Sequence, residues 1–299
     1  MNNKVTGKIN ILNHALIIFL GVFCLSVTPF GAKASESLFR SKTQDAGTQK
    51  IIDSGELRLA IIKRENPPFY YSDPDGVDGT GGLEVDLGKK IAEELGVKLR
   101  IVRKTDVFNE LVKSVARGEA DMAMSKLSIS LPRAAFVEYS NPYINFRKAI
   151  LVNRLKFAEL KKRSNDSVSD FFNRKDVSIG VIANSSYETF ARQLFPDGQV
   201  VGYGSWEEAF NALDKGEVAG IFRDEFEVSR TLRGIPNGSI KFMSVVLKGQ
   251  KDPIAMVLPW NKLHFKHWIN HLLESKSIAY GNKDILKMLE EYNEKNKKS

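Results

Sequence analysis

The sequence predicts an α/β protein of two similar lobes, each built on a mostly parallel sheet flanked by helices. From Ile51 onward, short β-rich runs alternate with amphipathic helical stretches, the pattern of layered sheets joined by helical crossovers. A length of 299 residues suits two ordinary domains. A helix–glycine–strand unit also recurs: Leu111-Val112-x-x-Val115-x-x-Gly118-Glu119-Ala120 matches Ala209-Phe210-x-x-Leu213-x-x-Gly216-Glu217-Val218 at an offset of 98 residues. With 42% hydrophobic residues, 27% charged residues and 18 Phe, the chain can bury a sizeable core, which excludes disordered, collagen-like and multi-span membrane classes.

At the N-terminus, Lys4 and Lys8 precede a mostly apolar run from Ala15 to Val27, and Ala32-Lys33-Ala34 sets small residues where a signal peptidase needs them. Residues 1–34 therefore read as a cleaved secretory signal, the apolar run being short of the roughly 20 residues that span a bilayer. Cys24 is a poor lipid-attachment site, because bulky Phe23 stands where that motif has a small residue. Cleavage removes Lys4, Lys8, Lys33, no acid and the only cysteine, so the net charge of +8 falls by three. The exported domain then has no disulfide, no thiolate nucleophile and no sulfur ligand for zinc. The remaining basic clusters, Lys161-Lys162-Arg163 and Lys295-Asn296-Lys297-Lys298, read as solvated faces, so no nucleic-acid partner is expected.

Residues 35–50 read as a leader. Leu57 to Ile62 follows as a strand, then a loop at Pro67-Pro68 and a turn at Asp73-Pro74-Asp75-Gly76. Leu83, Leu87, Ile91 and Leu95 recur at helical spacing and Gly96 stands at the expected C-terminal cap. Val97, Leu99 and Ile101 alternate as a half-buried strand. A helix from about Val107 to Arg117 closes on Gly118, and Ala120 to Met124 forms the next strand. The second unit comprises a strand at Val177 to Ile182, a helix at Ser186 to Leu194, a strand near Val200 and another at Val218 to Phe222. Two helices, about Leu263 to Glu274 and Lys283 to Tyr292, complete the chain.

The segment Met124-Ser-Lys-Leu-Ser-Ile-Ser-Leu-Pro-Arg133 follows a buried-type strand, and strand C-terminal ends are where open α/β sheets bind ligands. Ser128, Ser130 and Arg133 share that loop, and a guanidinium fork matches a carboxylate with two parallel hydrogen bonds. Taken alone, an Arg after Pro reads as a surface residue capping a turn, and only its context points to an anion site. In the other lobe, Val181-Ile-Ala-Asn184-Ser185-Ser186 leaves a strand and opens a helix, so backbone N–H groups and a serine hydroxyl face any anion there, or the serines merely cap the helix. Asp224, at another strand end, could accept from an ammonium or cap its own helix. Together these groups could hold both charges of a zwitterion.

The chain resembles the bacterial extracellular solute-binding proteins of family 3, the amino-acid receptors of ABC importers, along nearly all of residues 51–295. The motifs that carry the resemblance are Gly82-Leu-Glu-Val-Asp-Leu87, Gly118-Glu-Ala-Asp121 leading into Ser128-Ile-Ser-Leu-Pro-Arg133, Tyr139-Ser-Asn-Pro-Tyr143, and Gly180 to Glu188 with Arg223-Asp-Glu225. The resemblance implies a two-lobed periplasmic binding protein fold (type II) with a two-strand hinge crossing near Asn145 to Ile150 and near Pro253. Lobe 1 would comprise 51–145 plus 254–299, and lobe 2 would comprise 146–253. It further implies that Arg133 holds a ligand α-carboxylate with help from Ser128, Ser185 and Ser186, and that Asp224 accepts the ammonium. Phe69, Lys126 and Leu127 complete the expected contacts, while Asp86 matches a family motif and reads as structural.

Three departures bear on specificity. Asn66 stands before Pro67-Pro68-Phe69 where the family has an aromatic residue, Lys63 replaces an acid often found upstream, and Lys126 occupies a position that is usually small. Either the Lys126 ammonium enters the cleft, where an anionic ligand group would relieve its burial, or it turns outward to solvent. The expected function is a periplasmic, monomeric receptor without cofactor that delivers an amino acid or related small carboxylate to an ABC permease in the inner membrane. An enzyme is not expected, although a few proteins of this fold are cyclohexadienyl dehydratases. Glu225 and Glu227 are expected on an exposed helix face, and His264, His267 and His271 lack the partners of a metal site. A sensory or lytic module would need further domains beyond residue 299.

Overall fold

In the computed structural model, which describes residues 46–161 and 167–297, helix α1 (Ala46–Ser54) leads into strand β1 (Glu56–Ala60). The expected signal sequence, residues 35–45 of the expected leader, and Lys162, Arg163 and Lys298 lie outside the described residues. Residues 46–50, grouped with the leader by sequence, begin α1. A hairpin follows, β2 (Tyr71–Val77) with β3 (Thr80–Gly81), and its turn lies at Asp78-Gly79 rather than at residues 73–76. Both turn residues have positive φ, 48° and 71°, which an Asp-Gly pair tolerates and which suits a two-residue hairpin. The earlier Asp-Pro-Asp-Gly stretch is absorbed by a register shift between Ser72 and Val77.

Helix α2 (Leu83–Leu95) ends on Gly96, whose N–H bonds back to Ala92 and Glu93. It buries Val85, Leu87, Gly88 and Ile91, and a methyl group on Gly88 would stand 2.6 Å from the Leu59 side chain, so α2 lies tight on β1. Strand β4 (Lys98–Val102), helix α3 (Phe108–Ala116), the two-residue strand β5 (Met122–Ala123), the short helix α4 (Leu131–Ala134) and β6 (Val137–Tyr139) complete the outward pass.

The chain then crosses. Strand β7 (Ile144–Asn153) starts beside the first sheet and runs into the second, followed by α5 (Arg154–Leu160), α6 (Val168–Phe172), β8 (Ser178–Ile182), α7 (Ser186–Leu194), β9 (Gln199–Tyr203), α8 (Trp206–Asp214) and β10 (Gly220–Asp224). Helices α9 (Glu225–Gly234) and α10 (Gly238–Lys241) precede β11 (Phe242–Ile254), which returns antiparallel to β7 with Asn145 opposite Pro253 and Ile144 opposite Ile254. Strand β12 (Val257–Pro259), α11 (Leu263–Ser275), β13 (Tyr280–Gly281) and α12 (Asn282–Lys297) finish the chain.

Two five-strand paths result, β4-β1-β5-β12-β6 and β11-β7-β10-β8-β9. In each, one end is parallel (β4-β1-β5, β10-β8-β9), and the antiparallel pairs involve β7 or a strand after the return crossing. The apolar run Ala149–Val152 of β7 follows from burial on both faces: Ile150 and Val152 join the cluster of Phe171, Phe172, Val181 and Phe222, while Ala149 and Leu151 face Leu213, Ile221 and Val228. The first sheet packs Leu57, Leu59, Ile91, Val112, Val257 and Phe265 into a separate core. Ile182 and Phe226, from the second sheet's side, belong to this first core as well, so the two lobes meet through apolar contact.

Candidate functional site

The loop after β5 is held on all sides. Ser125 Oγ accepts from the Ile62 N–H at 2.9 Å, and the Lys126 N–H donates to Glu84 Oε1 at 2.7 Å. Leu127 and Ile129 pair with the returning crossing strand, through the Ala255 N–H to the Leu127 carbonyl at 3.1 Å and the Ile129 N–H to the Pro253 carbonyl at 3.1 Å. Ser128 is thereby fixed beside the hinge. Arg133, in α4, is buried, and its Nε and Nη2 donate to Asn109 Oδ1 at 3.0 and 2.9 Å. Its fork thus rests on a neutral amide. Burial lowers the guanidinium pKa, opposed in part by Tyr139 and Asp252.

Across the cleft, Ser185 heads α7 but does not cap it, because its hydroxyl donates backwards to the Ile182 carbonyl at 2.6 Å. The helix start therefore faces the cleft without a side-chain cap from Ser185. Tyr187 donates to Asp252 Oδ2 at 2.6 Å. Burial, and then the nearby Asp224 charge, push the Asp252 carboxyl up to about 6. Asp224 ends β10 and caps α9: Oδ1 accepts from the Glu227 N–H at 3.0 Å, while Oδ2 lies 3.0 Å from Lys126 Nζ and 3.4 Å from Arg223 Nε. The reading of Asp224 as a helix cap is realised, and the cation that meets its other oxygen is Lys126 of the chain itself.

Lys126 points into the cleft. Its φ of 52° is uncommon for a side-chain-bearing residue, and the backbone there turns the ammonium between the lobes. Nζ meets Glu227 Oε1 at 2.5 Å and lies 5.1, 5.3 and 5.9 Å from the ring centres of Phe69, Phe226 and Phe146. Asn66 Nδ2 donates to the same Glu227 oxygen at 2.8 Å, and Arg230 reaches the other at 2.6 Å. Neighbouring cations, Lys126 foremost, hold the Glu227 carboxyl well below the usual range despite burial. The expectation that Glu225 and Glu227 lie on an exposed face is corrected: both are buried, since α9 turns that face toward the hinge, where Glu225 meets Arg147 at 2.5 Å and Glu227 meets Lys126.

Lys126, Leu127, Ser128, Arg133, Ser185, Ser186 and Asp224 line one space between the lobes, whereas Phe69 lies outside it as part of the floor under the Lys126 ammonium. That space is about 10 Å³, room for about one water. Phe108, Tyr187 and Arg223 also line it and went unrecognised in the sequence. Arg223 stood in a quoted motif with no role assigned to its side chain. It stacks 5.6 Å from the Phe108 ring centre and 5.7 Å from that of Tyr187. Tyr187 follows the serines directly, and its hydroxyl partner Asp252 is distant in sequence.

A model of the bacterial extracellular solute-binding proteins, family 3, matches residues 59–292. The chain is similar to membrane-bound lytic murein transglycosylase F of Idiomarina loihiensis, 30% identical over 205 residues that cover 66% of this chain and 41% of that protein. It is also similar to cyclohexadienyl dehydratase of Pseudomonas aeruginosa, 35% identical over 111 residues, 37% of this chain and 38% of that protein. The matches thus span about two fifths of the length of these relatives. Among solved structures, an amino acid ABC transporter substrate-binding protein from Streptococcus pneumoniae bound to L-arginine superposes with a TM-score of 0.61 at 21% identity, covering 81% of this chain and 96% of that one, a likeness of fold. The expectation that the chain is not an enzyme is corrected by the first two relatives, both named as enzymes.

Proposed function

The chain belongs to the bacterial extracellular solute-binding proteins, family 3, and on that premise we propose that its two lobes part to admit a small carboxylate, an amino acid or a related acid, close again over it, and present it to an ABC permease in the inner membrane from the periplasm. One observation carries the reading: a buried guanidinium, Arg133, faces the inter-lobe space with its fork resting on a neutral amide. A carboxylate entering beside it replaces lost hydration with charge-assisted hydrogen bonds. Ser128, the start of α7 and Arg223 supply further donors around the same space.

A second reading, turnover of the bound acid, is favoured by the dehydratase relative and by two carboxyl groups near the cleft that burial raises, Glu84 to about 7 and Asp252 to about 6. Calorimetric titration with amino acids, dicarboxylates and cyclohexadienyl acids, followed by analysis of the recovered solute, tests both. Binding with the solute recovered intact supports the receptor, and a consumed solute supports turnover. Silence across all three classes sinks the small-carboxylate reading.

A further inference from the structure

The acid that lines the inter-lobe space, Asp224, and its neighbour Glu227 are already occupied. Asp224 spends one oxygen capping α9 and the other on Lys126 at 3.0 Å. Glu227 is shared among Lys126, Arg230 and Asn66. The Lys126 side chain is only 1% exposed and is enclosed by Phe69, Phe146 and Phe226, so its ammonium is not a mobile surface charge that an arriving solute could easily displace. Three cations, Lys126, Arg133 and Arg223, line the space against one carboxylate, Asp224. A solute bearing its own ammonium would have to dislodge Lys126 or sit unpaired among these charges, and either is costly in a buried site.

We propose that Lys126 is a built-in substitute for a solute's ammonium, and that the cleft selects small carboxylates carrying no amino group, such as 2-oxo, 2-hydroxy or unsubstituted acids. The proposal rests on the solute-binding reading given above and narrows it. Lys126 then acts as a specificity residue from within the protein: it fills the acidic corner and leaves the guanidinium side to an anion admitted when the lobes part.

The test compares matched pairs, each amino acid against its 2-oxo and amine-free analogues, by calorimetric titration of the protein. In the pairs that bind, the amine-free member should bind about 100-fold more tightly or better, as expected when like charges are otherwise juxtaposed. A charge-balanced double variant guards against misfolding: Lys126→Met combined with Glu227→Gln removes one charge of each sign, releases Asp224 Oδ2 from the ammonium, and should shift the preference toward the amino acid by at least about tenfold. An amino acid that binds the unaltered protein as tightly as its amine-free partner overturns this inference and leaves the receptor reading standing. Failure of every member of every pair overturns the receptor reading, and this inference with it.

Discussion

Arg133 and Lys126 are both buried cations, yet they are buried in opposite circumstances. Lys126 is held by two carboxylates and Arg133 by an amide. Removing Lys126 takes from two buried acids, Asp224 and Glu227, the ammonium they share, so Lys126→Ala should cost about 3–5 kcal/mol and lower the unfolding midpoint by roughly 6–20 °C. Arg133→Ala strands no charge and should abolish solute binding while moving the midpoint far less, which calorimetry on the same two variants checks. Glu84 gives a pH test. Its carboxyl accepts from Tyr143 Oη and the Lys126 N–H, and burial raises it from 4.5 to about 7, as burial raises Asp252 from 3.8 to about 6. A raised pKa means that the folded chain holds the proton more tightly than the unfolded chain. The stabilisation is complete below about pH 4 and is lost as pH climbs through 6 and 7. The unfolding midpoint should therefore fall by several degrees between pH 5.5 and pH 8, and Glu84→Gln should flatten that slope; an unchanged slope would refute the assignment. Sequence pointed to the loop of Ser128 and Arg133, which lines the inter-lobe space, because a polar loop follows an apolar strand, although Arg133 taken alone reads as a turn cap. Glu227 was not, since a second acid in a helix's first turn ordinarily points to water, and the direction of Lys126 depends on a positive φ that its residue type does not announce.

At the scale of elements, the internal repeat is followed almost bond for bond. Helices α3 and α8 begin and end 98 residues apart, and Gly118 and Gly216 follow them with φ of 71° and 72°. The Gly118 N–H bonds to the Val115 carbonyl and the Gly216 N–H to the Leu213 carbonyl, both at 3.0 Å, while the Glu119 and Glu217 N–H groups reach the carbonyls of Ser114 and Ala212, both at 2.9 Å. A methyl group at either glycine would meet nothing within 4 Å, so the cost of alanine there is conformational alone. Gly118→Ala and Gly216→Ala should each lose about 1–2 kcal/mol, and nearly the same amount, in denaturant titrations. Unequal losses would show that the two copies differ in strain. Helix and strand order was readable because apolar spacing and glycine caps are local signals. The hairpin turn was misplaced because two Asp-Gly pairs compete within six residues and only pairing with β3 decides between them.

For the molecule as a whole, the two lobes are joined by more than the crossing strands. Lys126 with Asp224 and Glu227, Asn66 with Glu227 and Arg230, and Arg64 with the Gly204 carbonyl at 2.9 Å tie one lobe to the other. Small-angle scattering should show the solute-free protein already at least as compact as the solute-bound one, and Lys126→Ala should expand the solute-free protein; a large compaction of the unaltered protein on binding would contradict this. None of these ties is local in sequence, which is why a hinge could be expected from the chain but its fastening could not. The fastening also governs time. A solute reaches Arg133 only in the intervals when Lys126 has let go of its two acids, so the observed rate of association should climb with concentration and then level off at the protein's own frequency of opening, a ceiling that no excess of solute can raise.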